Sequence, residues 1–476
     1  MALISWLLIY LLGYAVLNSI SRKFSFLEKS GFAFPVGIGV TTMMMFLFDI
    51  GGLPLNQFFV LWGGIITVLV ALFFTDKKIF LDPRLFFSLD DFSNPKDSLG
   101  KGVFAGKNFE RKQFHAAWVF LIACILAVSA MIMIKGEYWI VFIYDSVAGY
   151  DFLGRAIAHE GTIQNSIFDK SNPLYTVRDL YPPLVPLAFA FSYATGNFSS
   201  QIVITLFFAS TVICFYALLI RFTNHFAAAL FTFLLVTIPQ LAAFSSLSSG
   251  SIPCTFYCPM ALLCIYIWYE ENDMAYFWLG TLLMVFALWT RSESLAFAIA
   301  GGMLVVIKSF RKKKVWLAGF YSAVCFIIFF AWQIYLSGIL KVGSEQPMVR
   351  HLFFDKEKLE RMLSQIMPLI FKPDLYGFTI YIFLTGVLIS IAALIRKGDQ
   401  LALLSVVFLS WILLTGIFYQ IDVDYKDFNS LSYITSGYSR AMFYLLPLML
   451  FYVAVSKNVL LAFQRIKNRV EKNTGT

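Results

Sequence analysis

Residues 181–196 read YPPLVPLAFAFSYATG, and whether this stretch crosses a membrane sets the sidedness of the whole chain. It is apolar but shorter than the roughly 20 residues a spanning helix needs. Pro182, Pro183 and Pro186 also disturb its first turns, because each removes a backbone donor. Around it the chain is a series of long apolar runs. They lie at 2–20, 32–50, 57–75 and 114–134 before it, and at 201–221, 226–243, 253–269, 274–290, 294–308, 315–337, 376–395, 400–419 and 440–456 after it. These runs predict an all-α polytopic membrane protein of thirteen transmembrane helices. Lys and Arg, which concentrate on the cytoplasmic side of spans, arbitrate the ambiguous stretch. If 181–196 stays on one face, 24 of the 37 basic residues fall inside; if it crosses, 20 do, and the cluster at 308–314 and the basic tail move outside. The stretch is therefore read as an interfacial or re-entrant element on the outer face of the cytoplasmic (inner) membrane. The N-terminus is then outside and the C-terminus in the cytoplasm.

Composition agrees with a bilayer environment. Of 476 residues, 59% are hydrophobic, 18% aromatic and only 14% charged, with a mean hydropathy of +0.75. Soluble domains average about a quarter charged residues, so a soluble enzyme, a disulfide scaffold and a disordered chain are excluded. The net charge of +9 is read as topology, with no nucleic-acid partner. Cys124, Cys214, Cys254, Cys258, Cys264 and Cys325 all lie in or beside apolar runs and read as small buried hydrophobes. The first run has no basic residue ahead of it and Arg22 and Lys23 behind it, which predicts a retained span, not a cleaved signal.

This topology divides the chain into three parts. Residues 1–113 form a three-helix N-terminal extension with a cytoplasmic connector at 76–113. Residues 114–456 form a transmembrane module with outer loops at 135–200, 338–375 and 420–439, and residues 457–476 form a basic cytoplasmic tail. Within the second outer loop, Leu359, Met362, Leu363 and Ile366 recur at helical spacing opposite Lys356, Lys358 and Arg361, which predicts an amphipathic helix in the outer interface.

No GxxxxGK[ST] loop, GxGxxG turn or HExxH helix is present. Polar residues gather instead in the first outer loop, with Glu137, Asp145, Asp151, Glu160, Asp169 and Asp179 beside Arg155, Lys170 and Arg178. Asp145 follows WIVFIY directly and so sits at the membrane boundary, where a carboxylate is costly unless partnered or functional. Either it caps the helix that follows or it does chemistry. Arg291 and Glu293 interrupt a long apolar stretch; two residues apart, they cannot face each other on a continuous helix, so a tight outer turn is expected, in which they either form a structural ion pair or take part in the site. Arg440 opens the last run from the outer side, where it either snorkels or binds a phosphate bidentately. His159, beside Glu160, is a further candidate ligand or phosphate donor. An enzyme on this face has no cytosolic nucleotide sugars, so an activated sugar must arrive on a lipid carrier. A polyprenyl phosphate, with its tail among helices and its phosphate at headgroup depth, suits such a body.

Four pieces then carry a family resemblance: YDSVAGYDFLGRAIAHEG (144–161), DLYPPLVPLAFAF (179–191), LWTRSESLAFAIA (288–300) and SGYSRAMFYLLPLML (436–450). In order and sidedness they resemble the GT-C superfamily of lipid-phosphosugar-dependent glycosyltransferases, nearest its protein O-mannosyltransferase-like and lipid A aminoarabinose-transferase-like branches. The resemblance covers about residues 114–456 and implies a GT-C-like fold and an inverting transfer of a sugar from a polyprenyl-phosphate donor to a glycan, glycolipid or protein acceptor. It makes Asp145 the general base. It gives Asp179, Glu293 and His159 acceptor or metal roles, the metal being a divalent cation such as Mg or Mn, and gives Arg440, Arg291 and Arg155 the donor phosphate. Tyr181 stands where the family has His, and three spans precede the hairpin whose loop carries Asp145, where the family usually places that loop after the first span. Two other classes compete: an envelope polysaccharide polymerase or ligase using polyprenyl-diphosphate glycans, and a lipid-linked sugar transporter or flippase.

Overall fold

The computed structural model describes residues 2–56, 63–64, 110–141, 145–169, 171–172, 181–196, 199–342, 354–397, 400–421, 427–456 and 459. Among these residues the regular structure is entirely helical. The helices are α1 (Ala2–Ile20), α2 (Phe26–Ile50), α3 (Glu110–Tyr138), α4 (Asp151–Glu160), α5 (Leu184–Ala194), α6 (Gln201–Phe222), α7 (His225–Val236), α8 (Pro239–Phe244) and α9 (Ser251–Glu271). They continue with α10 (Met274–Leu288), α11 (Leu295–Arg311), α12 (Val315–Ile334), α13 (Lys356–Ile370), α14 (Pro373–Tyr376), α15 (Thr379–Lys397), α16 (Leu401–Gln420), α17 (Phe428–Ala441) and α18 (Leu446–Val455).

Eight of the described helical stretches are long and apolar enough to cross a bilayer. The chain is therefore a multi-pass helical membrane protein. Four further expected spans form shorter apolar helices: α1, α7, α10 and α15. The run at 226–243 is cut because Pro239 opens a new helix, leaving α7 with 12 residues and α8 with 6. Almost all of the expected span at 57–75, residues 76–109 of the connector and almost all of the basic tail lie outside the described residues. The 181–196 stretch forms α5, only 11 residues and so about 16 Å long, about half the hydrocarbon thickness. It is buried within protein, where its shortened backbone can be satisfied.

Burial orders the bundle. The α9 window is completely enclosed, whereas only 11% of the α3 window is, so α9 is the central post and α3 a lipid-facing staff. α1 and α2 share the same hydrophobic core as α9: Phe32 meets Phe256, Phe46 meets Trp289, and the Tyr257 hydroxyl donates to Pro35 O at 2.7 Å. The α1–α2 crossing is set by small residues. A Cβ on Gly13 would overlap Ala33 O, and one on Gly37 would overlap Ile9 O, so the two backbones are in direct contact.

Each end of α2 carries a buried carboxylate. At one end Ser25 and Glu28 form a reciprocal capping box, and Glu28 also accepts from Tyr276 and faces Arg221, which is bidentate to Glu271. At the other end Asp49 accepts from Thr162 Oγ1 (2.7 Å), Ile163 N (2.7 Å) and Tyr335 OH (2.6 Å). The two acids are 21 residues and thus about 31 Å apart, close to one hydrocarbon thickness. The Asp49 end is the one that holds the first loop.

The expected amphipathic helix is present as α13, capped by Asp355, with Met362, Ile366 and Ile370 buried. Two assignments are corrected. Lys358, expected on the polar face, is buried, because it lies one turn before Met362 on the same stripe and donates to Ile421 O at 2.7 Å. Leu363, expected on the apolar face, is exposed. The last span also begins earlier than expected, running Ile434–Val455, so Arg440 lies inside it and does not open it.

Because the α1–α2 contact leaves no room for a side chain, Gly37→Leu should cost about 3 kcal/mol or more. The expected readout is a monodisperse detergent-purified wild type and a variant that aggregates or unfolds at clearly lower temperature; unchanged thermal behaviour would show that the crossing is not tight.

Candidate functional site

The site begins at a break in helical geometry. Asp145 precedes a π-turn, Ser146–Tyr150, in which Gly149 leaves helical dihedrals (φ −133°, ψ −105°) before α4 starts. Single π-turns of this kind collect at functional positions. Asp145 has helical backbone angles and makes no side-chain capping bond, so its carboxylate does not serve the helix that follows. It pairs instead with Arg440 Nη1, from 295 residues later in the chain.

The second pair lies in the turn between α10 and α11. Arg291 is extended (φ −154°, ψ 145°) and leads into a 3-10 turn, Ser292–Ser294, which brings Glu293 back beneath it. The contacts are Nη2–Oε1 at 2.8 Å and Nε–Oε2 at 3.4 Å, the ion pair in a tight turn that the two-residue spacing predicts. The guanidinium lies 4.3 Å over the ring of Tyr181, and Tyr181 stacks on Tyr150 at 5.7 Å and 11°. Leu184 N donates to Trp289 O at 3.1 Å, fixing the start of α5 to the same turn. Gly250 allows the close approach, since a Cβ there would sit 2.9 Å from Tyr150 Oη and 3.5 Å from Arg291 Cδ.

All four sequence pieces thus meet at one place. The first and fourth join through Asp145–Arg440, the first and second through Tyr150–Tyr181, and the second and third through Tyr181–Arg291. The two pairs differ in access. Arg291 and Glu293 side chains are 7% and 9% exposed, whereas Arg440 and Asp145 keep 15% and 21%. The arginines are close enough to repel each other electrostatically. Two buried donors around them have no acceptor among the described residues: Arg440 Nε and Tyr444 Oη. Uncommitted donors beside two guanidiniums form an environment for an oxyanion.

The remaining expected residues fall elsewhere. Arg155 gives its Nε to Asp151 at 2.8 Å and lies 4.7 Å over Tyr193. Its partial burial works to lower the Arg155 pKa, but the hydrogen bond and charge of Asp151 outweigh this and raise it, so the brace stays charged. Asp151 is itself buried and accepts from Tyr193 and Ser200, and Ser200 meets Ser248 Oγ at 2.6 Å. This network holds α4 against α5 and the start of α9. His159 is exposed on the last turn of α4, and Glu160 next to it accepts from Ser166 N and Oγ at 2.8 and 2.6 Å. Asp179 lies outside the described residues.

Sequence reasoning missed Asp49, Tyr150 and Tyr444. The usable signal for Asp49 was an acid in the last turn of an otherwise apolar helix; the two tyrosines carry no local signal. Among the described residues no three His, Cys, Asp or Glu side chains gather. Asp145 and Glu293 are each paired with a guanidinium, and Asp179, the further acid expected to hold a cation, lies outside the described residues. No family model, curated protein or solved structure matches the chain. The GT-C resemblance therefore rests on the four sequence pieces alone.

The unequal burial of the two pairs orders their contributions to stability. Arg291→Ala, which strands the enclosed Glu293, should cost about 3 kcal/mol, and Arg440→Ala, beside the more open Asp145, about 1–2 kcal/mol. Thermal unfolding of the purified variants checks this. The exchange Asp145→Arg with Arg440→Asp should recover most of the loss of the single changes.

Proposed function

We propose that this chain is an integral-membrane, GT-C-like glycosyltransferase that moves a sugar from a polyprenyl-phosphate donor to an acceptor hydroxyl. The observation that carries the reading is the Asp145–Arg440 pair, partly open and set beside the closed Arg291–Glu293 pair. One partner of the open pair is a base and the other an anion ligand, the two functions that such a transfer requires.

In the proposed reaction the donor phosphate displaces Asp145 from Arg440, which holds it through its guanidinium fork. The Asp145 carboxylate, released from that pair, accepts the proton of the acceptor hydroxyl as the acceptor oxygen attacks the anomeric carbon. The bond from that carbon to the phosphate oxygen breaks, configuration inverts, and polyprenyl phosphate leaves with the electron pair while Arg440 balances its charge. Arg291, committed to Glu293, raises the positive potential without surrendering its own partner. Tyr181 keeps that guanidinium level by lying flat beneath it. Because Arg291 is so committed, one free fork favours a monophosphate donor over a diphosphate-linked glycan. Asp145 and Glu293 also lie in turns between helices, where a transporter would want charge midway along its spans.

The distribution of Lys and Arg supports an inner-membrane location with the site on the outer face, the N-terminus outside and the C-terminus in the cytoplasm.

With membranes supplied with polyprenyl-monophosphate sugar, Asp145→Asn should reduce transfer by about 100-fold or more. Arg440→Lys should mainly raise the donor KM, since an ammonium keeps the charge but loses the fork. Full activity of Asp145→Asn would refute the assignment. Use of diphosphate-linked glycan alone, or translocation of the lipid with no glycosylated product, would favour the two competing classes.

A further inference from the structure

The end of α11 remote from Arg291 carries a second feature. Helix α11 has 17 residues, so its C-terminus lies about 25 Å from the Glu293 turn, on the other side of the bundle. There a cavity of about 220 Å³ opens between the ends of α9 and α11 and the starts of α10 and α12. Its walls are apolar (Trp268, Met274, Leu317) and its charges all positive (Lys308, Lys312, Lys314). Lys308 is built in: its buried ammonium donates to Trp268 O and to Tyr269 O (2.8 Å) and lies 4.6 Å over the Trp268 ring, closing the C-terminus of α9.

Of the acids nearby, Glu271 is engaged by Arg221, and Glu270 acts electrostatically on Lys308. Lys312 and Lys314 are exposed and form no ion pair with a carboxylate among the described residues. The surroundings mark membrane-interface depth. Trp316 and Phe310 are exposed, and Trp278 packs on Trp316 at 6.1 Å, as in the aromatic belts that sit at headgroup level.

We propose that this cavity binds the phosphodiester headgroup of an anionic phospholipid. Each property matches that ligand. The size lies below the roughly 300 Å³ at which drug-sized pockets begin and so suits a headgroup. The apolar walls suit the glycerol and upper acyl carbons. Lys312 and Lys314 supply the charge that a zwitterionic lipid, already neutral, does not need, and basic pockets between spans select acidic headgroups in this way. The site is independent of the glycosyl-transfer reading, because it lies at the opposite end of α11 and shares no residue with the arginine pairs.

The test uses the full-length protein in detergent, with lipid retention read by native mass spectrometry against phosphatidylglycerol, phosphatidylcholine and inorganic phosphate. The wild type should retain phosphatidylglycerol in preference to phosphatidylcholine. K312Q/K314Q should lower that preference by about tenfold or more, on the scale of about fivefold per lysine, and K312R/K314R should keep it. Size-exclusion profiles establish that the variants are folded; if the double glutamine variant is not, the single K312Q supplies the comparison. Equal retention of the two lipids by the wild type, or an unchanged preference in folded glutamine variants, would overturn the proposal. So would millimolar phosphate displacing phosphatidylglycerol, which would make the site one for a soluble anion.

Discussion

A charge in a bilayer-spanning bundle persists only beside its opposite or in reach of water, and this requirement organises the molecule. The Asp145–Arg440 pair ties the π-turn before α4 to a residue within the last span. Arg291 and Glu293 satisfy the same requirement within a single turn, and their closure leaves Arg440 as the more accessible guanidinium. The donor imbalance around Arg440 and Tyr444 is the chemical consequence: among the described residues the cluster has donors left over, and an oxyanion is what they can take.

Helical breaks make this possible. A straight α3–α4 rod would carry Asp145 past the cluster; the π-turn at Ser146–Tyr150 lets the chain stop and turn at the right depth. A second π-turn, Tyr335–Ile339, offers Tyr335 to Asp49, and Asp49 in turn fixes Thr162 and Ile163 just after α4. Asp151, held by Tyr193, Ser200 and Arg155, anchors the other end of α4. The short helix that follows the proposed base and its π-turn is thus pinned at both ends by buried carboxylates. Such anchoring restricts the positional freedom that a transfer reaction cannot tolerate.

Much of the fold was readable because spans announce themselves by apolar length. The stretch at 181–196 was read as too short to cross, and α5 is indeed a buried 11-residue helix. The tight Arg291–Glu293 turn followed from a spacing of two residues, a local argument with a local answer. Where the reading failed, the cause was tertiary. Lys358 looked polar by type, yet the carbonyl of Ile421 waits for its ammonium on the buried stripe. Arg155 and Arg440 looked alike as outer-loop cations, but Asp151 lies one turn away from the first and not from the second.

The sequence by itself determined the class of molecule, the positions of most helices, the gathering of acids in one loop and the pairing of near neighbours. All of these depend on composition and short-range periodicity. Only the tertiary structure decided that Asp145 meets Arg440, that Tyr181 lies between Tyr150 and Arg291, and that Asp49 serves the loop after α4. The physical reason is separation along the chain. Contacts across 295 residues depend on how a dozen helices pack, and no periodicity in the sequence records that packing.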